Sequence, residues 1–244
     1  MNNVKISKLQ LLRFVVQLVF IVLLIMGLYM KVRILGFILG IVALVMGNFF
    51  CGWMCPFGTA QDFFGRVGSL FVKKKYKMPK SIQKYLVFSR YIIVLIILLQ
   101  LLPKNSFLFS EMNAYRNFFK FVHGDLLSVA SVIVLSFLLI SMFFERPFCN
   151  YFCTEGVRYG INSLTRVFTI QRSSSKCVNC KKCDQACPMN IQISTKDHVR
   201  SAQCINCLEC ISSCPVKETL KYEVVDFKKI KSKIVEKIGN KKSN

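Results

Sequence analysis

Two runs of cysteine decide the reading of this chain. The first is Cys177-Val178-Asn179-Cys180-Lys181-Lys182-Cys183-Asp184-Gln185-Ala186-Cys187-Pro188. The second is Cys204-Ile205-Asn206-Cys207-Leu208-Glu209-Cys210-Ile211-Ser212-Ser213-Cys214-Pro215. Both have the spacing C-x2-C-x2-C-x3-C-P, which serves cubane iron–sulfur loops rather than disulfides. Three close cysteines wrap three corners of a [4Fe–4S] cluster, and the fourth crosses to the other cluster. The expected ligand sets are Cys177, Cys180, Cys183 and Cys214 for cluster 1, and Cys204, Cys207, Cys210 and Cys187 for cluster 2. Zinc ribbons pair C-x2-C motifs but seldom carry two such runs ending in C-x3-C-P. Eight of the 12 cysteines are used this way, which implies a reducing compartment. Residues 219–227, with Tyr222, Val224 and Val225, read as a strand closing an α+β two-cluster ferredoxin domain over 173–227.

Other cofactors lack a signal. There is no C-x-x-C-H for c-type haem. The only histidines, His123 and His198, lie outside the apolar runs, which argues against a membrane b-type haem. No G-x-G-x-x-G or P-loop marks a flavin, nicotinamide or nucleotide.

Upstream the composition changes. The chain is 53% hydrophobic with positive mean hydropathy, too apolar for an ordinary soluble domain. Apolar runs at 14–30, 34–50, 86–102 and 126–144 predict four transmembrane helices within a domain over 1–172. Arg90, near one end of the third run, is expected to snorkel to the headgroups. The first run follows Lys5, Lys8 and Arg13 like a signal peptide. It is long and lacks a cleavage site, so a retained helix is expected.

The net charge of +22 resembles a nucleic-acid signature, but the basic residues flank the apolar runs and no nucleic-acid motif occurs. They concentrate before the first run (Arg13), between the second and third (Lys73, Lys74, Lys75, Lys77), and after the fourth (Arg146, Arg158, Arg166, with a basic tail over 228–244). The positive-inside rule then puts both termini and the ferredoxin domain on the cytoplasmic face of the inner membrane. Gln17 and Gln100 are expected to bond between helices, and Gly36-x3-Gly40 to permit close packing. His123 is a weak candidate for a quinone site at the opposite interface.

The membrane half is duplicated. Shifting Phe50, Cys51, Cys55 and Gly58 by 98 residues gives Phe148, Cys149, Cys153 and Gly156. Each copy reads as a hairpin, then C-x3-C, then an amphipathic stretch: Phe63, Phe64, Val67 and Leu70 in one, Val157, Ile161, Leu164 and Phe168 in the other. Residues four apart share one helix face, so the four thiols can meet at a third redox or metal site. The bland alternative is small cysteines packing at helix ends.

These features together, four apolar spans, paired C-x3-C motifs after spans two and four and a C-terminal two-cluster ferredoxin, resemble the NapH/NosR type of membrane polyferredoxin. The resemblance implies electron transfer between a quinol pool or soluble donor and a respiratory reductase or maturation partner. The protein would be an electron-transfer subunit of a quinol-dehydrogenase-like oxidoreductase rather than a stand-alone enzyme. A related branch sharing C-x3-C-P is a cupric reductase, so metal reduction by the C-x3-C thiols is one alternative, and a non-catalytic assembly or anchoring factor is another. The second motif departs from the pattern: Thr154 stands where the first has Pro56.

Overall fold

The computed structural model of the chain describes residues 7–26, 33–71, 76–101, 114–124 and 129–225. The basic tail, Gln100's side chain, Gly36's surroundings and Lys73–Lys75 lie outside them.

The helical half runs α1 (Lys8–Ile25), α2 (Arg33–Met46), a π-helical turn (Phe50–Met54), α3 (Pro56–Phe71), α4 (Lys80–Leu101), α5 (Ala114–Val122), α6 (Val129–Ile140), α7 (Pro147–Tyr151) and α8 (Thr154–Asn162). Among the described residues, one helix is long and apolar enough to cross a membrane, over Lys80–Leu99; Val129–Ile140 is a shorter apolar helix. The apolar runs and the helices do not coincide. α2 stops at Met46, four residues before the run ends, because Gly47 takes φ +82° and caps the helix from the left-handed region. α6 stops at Ile140, where the backbone tightens into turns. α4 begins at Lys80, before its apolar run, because lysine and glutamine propagate a helix as well as apolar residues do.

Helix polarity is inverted relative to a water-soluble fold. On α1 the inward residues are Gln10, Arg13 and Gln17, while Leu11, Leu12, Val15, Leu18, Val19, Val22 and Ile25 face out. On α4, Gln83 and Arg90 are buried while Ile92, Leu95, Leu98 and Leu99 are exposed. Arg90 is 1% exposed and does not snorkel: its guanidinium lies 5.0 Å from the Tyr91 ring centre and donates to the Tyr91 hydroxyl. Gln17 does bond within the helical half, to the Gly52 carbonyl. A Cβ added at Gly40 would meet nothing within 4 Å among the described residues, and the packing expected of Gly36-x3-Gly40 lies partly outside them.

The ferredoxin half holds the antiparallel pair β1 (Phe168–Arg172) and β2 (Leu220–Val224), with Phe168 opposite Val224 and Arg172 opposite Leu220. Phe168 is therefore a strand residue and not the end of an amphipathic helix. Between the strands lie the two cysteine loops, each followed by a short helix, α9 (Lys182–Ala186) and α10 (Glu209–Ser212). The core here is Ile170, Met189, Ile193, Val199, Ile205 and Leu220 packed around buried cysteines.

Candidate iron–sulfur and thiol site

The two cysteine loops share one backbone. Asn179 and Lys181 flank Cys180 at φ +53° and +55°; Asn206 and Leu208 flank Cys207 at φ +47° and +57°. Alternation of left- and right-handed residues turns successive backbone N–H groups toward one concavity, which favours anionic groups. The sulfurs receive such bonds: Asn179 N–H to Cys177, Glu209 N–H to Cys207, and Met189 and Ile191 N–H to Cys187.

Cys177, Cys180, Cys183 and Cys214 line one recess. Cys187, Cys204, Cys207 and Cys210 line another. These are the two expected ligand sets, crossed fourth cysteine included. No three Cys, His, Asp or Glu side chains among the described residues stand close enough to hold a single metal ion. A cubane takes one thiolate at each iron corner, so its ligands stand farther apart than those of one ion. The donor set, its N–H bonds and the paired recesses fit [4Fe–4S] clusters.

The C-x3-C motifs repeat at atomic detail. In each, the backbone N–H of the second cysteine bonds five residues back, Cys55 to Phe50 at 2.9 Å and Cys153 to Phe148 at 3.0 Å. Each second cysteine is extended, at φ −67°, ψ 112° for Cys55 and φ −70°, ψ 112° for Cys153. Each sulfur accepts the N–H three residues on, Gly58 and Gly156, both at 3.3 Å. The expectation of two thiols on one α-helical face is thus corrected. The first sits in a widened turn and the second caps the next helix. Proline at 56 enforces the extended residue before it. Thr154 leaves the same conformation in place, held by the Cys153 cap, so the missing proline costs the motif nothing in geometry.

The four thiols lie within electrostatic reach of one another. Burial pushes Cys51 and Cys153 well up and Cys149 to about 12, with the neighbouring thiols adding to the effect at all three. Gln61 donates to the Cys149 sulfur at 3.2 Å.

Sequence reasoning missed the ionic node beside them. Asp62 takes two bonds from Arg146, Nε to Oδ1 and Nη2 to Oδ2, both 2.6 Å, and one from Arg13, also 2.6 Å. Burial alone would raise its carboxyl, but the two guanidinium groups outweigh it and hold it down at about 2. Arg146 also donates to the Cys51 carbonyl, and Arg13 to the Gly52 carbonyl and Glu209. Arg13, Arg146 and Arg166 are 4%, 1% and 0% exposed. They are not the free surface charges that a count of basic residues makes them. The available signal was a single aspartate inside an apolar-flanked helix, which begs for a cation.

The second cysteine loop docks directly on the first C-x3-C turn. Trp53 Nε1 donates to the Asn206 carbonyl at 2.9 Å, Gln10 to the Cys207 carbonyl at 3.1 Å, and Asn206 to the Met46 carbonyl at 2.7 Å. On another side, Lys77 Nζ donates to the carbonyls of Asp184, Gln185 and Cys187. An apolar cavity of about 370 Å³ opens between the halves, lined by Leu86, Phe137, Ile140, Phe144 and Phe152 with Asn150 and Asn190. His123 lies against Phe119, ring centres 4.1 Å apart and planes tilted by 46°, and does not line it.

Residues 169–215 match a 4Fe-4S dicluster domain, and residues 32–79 and 127–159 match a 4Fe-4S binding domain. The chain is therefore an iron–sulfur protein of ferredoxin type. An uncharacterized protein of Methanocaldococcus jannaschii is 30% identical over 158 residues, 64% of this chain and 65% of its own. The ferredoxin-type protein NapH of Haemophilus influenzae is 30% identical over 153 residues, 60% of this chain and 49% of its own. The regulatory protein NosR of Stutzerimonas stutzeri is 27% identical over 144 residues, 57% of this chain and 19% of its own. The ferredoxin-type domains and these relatives support a NapH/NosR-type polyferredoxin. It spans less than two thirds of the length of each of these three relatives. No solved structure matches it.

Proposed function

We propose that the chain is a membrane-bound electron-transfer protein carrying two [4Fe–4S] clusters and a third redox or metal site at Cys51, Cys55, Cys149 and Cys153. The observation that carries this reading is the direct seating of the Cys204–Cys210 loop on the Cys51–Cys55 turn. Clusters, when bound, supply one-electron chemistry. The chain's own part is to fix their spacing, exclude water and compensate their charge. Cys187, Cys204, Cys207 and Cys210 are all buried, and the Arg13–Asp62–Arg146 node places two cations beside the anionic sulfurs. The match of residues 32–79 and 127–159 to a 4Fe-4S binding domain supports the third site, because the cysteines in those segments are these four.

Four membrane spans are supported by the inverted helices. Apolar stripes of this extent facing outward, with Gln10, Arg13, Gln17, Gln83 and Arg90 turned inward, suit contact with lipid. The lysine excess favours cytoplasmic termini and ferredoxin domain in a cytoplasmic membrane. The apolar cavity at the joint of the halves, with a few polar groups at its rim, suits a quinol ring entering from lipid. A respiratory reductase or maturation system is the partner class that its relatives suggest.

Cys180→Ser and Cys207→Ser are expected each to remove one [4Fe–4S] signal from the EPR spectrum of the reduced protein. Full spectra and iron content in both variants would overturn the assignment. In native membranes, added quinol is expected to reduce the clusters, as followed by EPR. Reduction by a soluble ferredoxin but not by quinol would reverse the direction of flow.

A further inference from the structure

The two cysteine loops are twins in backbone but opposites in surface. Advancing by 27 residues pairs Lys176 with Gln203, Val178 with Ile205, Lys181 with Leu208 and Lys182 with Glu209. In the second loop these positions form an interface within the chain: Ile205 is 4% and Leu208 7% exposed, and Glu209 binds Arg13. In the first loop the same positions face outward. Val178 is 65% exposed, and Cys180 is an exposed cysteine. Lys176, Lys181 and Lys182 are exposed as well, Lys181 lining the recess, and Lys217 and Lys221 are exposed next in sequence to its lining residues Val216 and Leu220. Two glutamates, Glu218 and Glu223, oppose these five lysines, both within 4.0 Å of Lys221 and the first 3.1 Å from Lys176. Asp184 does not add to the surface charge, since its carboxylate turns inward to the N–H groups of Ile193 and Ser194.

We propose that the first loop is the docking surface for an acidic electron-carrier protein. Val178 is the apolar centre of the contact, the lysines are its charged rim, and Cys180 is the point of closest approach. Charge complementarity selects the partner. Where the inner interface sets Glu209 against Arg13, the outer loop offers Lys182 and so seeks a carboxylate. A small apolar centre within a like-charged collar is the pattern of a transient redox encounter, steered and fast rather than tight. In that encounter the quinol-reduced site beneath Cys180 gives up one electron and the oxidised carrier gains one. The proposal rests on the two-cluster reading and adds to it which end faces the soluble partner.

The test uses the full chain in zwitterionic-lipid nanodiscs, with an acidic bacterial ferredoxin as the probe. Binding is measured against ionic strength for the wild type and for the Lys181→Glu, Lys182→Glu double variant. Saturable binding that weakens with salt is expected, and the double variant should bind about tenfold more weakly or worse. The dithionite-reduced EPR spectrum should be unchanged, which shows that the variant is folded and loaded. Absent cluster signals in the wild type would defeat the two-cluster reading itself. With the spectrum intact, binding that ignores salt and charge reversal, or no binding at all, overturns the docking proposal alone. Loss of ferredoxin binding when anionic lipid is added to the discs also overturns it, because the collar would then be a lipid-facing surface.

Discussion

Asp62→Ala is expected to destabilise the protein by about 3–5 kcal/mol, the cost of stranding buried cations by deleting their shared partner. Arg146 is 1% exposed and is held by both of its bonds to Asp62; Arg13 is 4% exposed and shares the same carboxylate. Without Asp62, Arg146 keeps only the Cys51 carbonyl from this set, while Arg13 keeps Gly52, Gln10 and Glu209. Arg146 is therefore the costlier orphan. Because Arg146 also fixes the Cys51 turn, the damage should spread to the thiol site. The measurement is thermal unfolding in detergent together with iron content, with the melting point expected to fall by about 10 °C. Asp62→Glu should recover part of the loss by keeping the charge. A melting point within about 1 °C of wild type for Asp62→Ala would show that water or lipid headgroups screen the node after all. Since the folded pKa of Asp62, about 2, lies below its unfolded value, its contribution is complete at neutral pH and lost only as pH falls toward about 2.

Gly52→Ala should be among the most damaging conservative changes at the described glycines. A Cβ at this position would sit 2.2 Å from the Ile205 carbonyl oxygen, and both elements are backbone held by further bonds. Gly52 belongs to the π turn carrying Cys51, and Ile205 to the loop carrying Cys204 and Cys207, so neither can yield without moving ligand cysteines. Relief requires the two halves to separate locally, breaking the Trp53–Asn206 and Gln10–Cys207 bonds. The expected cost is about 3 kcal/mol or more, at the upper end for overpacking. Faster limited proteolysis between the halves should accompany it. Gly40→Ala is the control. Its Cβ would meet nothing within 4 Å, so the helix-propensity gain should leave stability unchanged or slightly raised. Equal behaviour of the two variants would mean that the cysteine loop does not rest on the turn.

The legible part of this protein is the part written in local spacing. The eight ferredoxin cysteines need no tertiary information, because a cubane dictates how far apart along the chain its ligands fall. The 98-residue repeat was equally visible, since duplicated turns keep duplicated side chains. Even the β2 strand could be placed, from its alternation before a run of charge. What the sequence alone could not determine is where long polar side chains go. Arg13, Arg90 and Arg146 read as membrane-flanking charges, yet all three turn inward, because buried carbonyls, one carboxylate and a tyrosine ring stabilise them better than the surface does. The helix ends were likewise hidden, since a hydrophobic run marks lipid or core while Gly47 marks the turn. Tertiary structure alone decided that the two loops of identical cysteine spacing face different ways, one sealed against the thiol turn and one open beside Lys181. The physical reason is that spacing fixes a ligand loop, but only the neighbour that covers it, or fails to, fixes its surface.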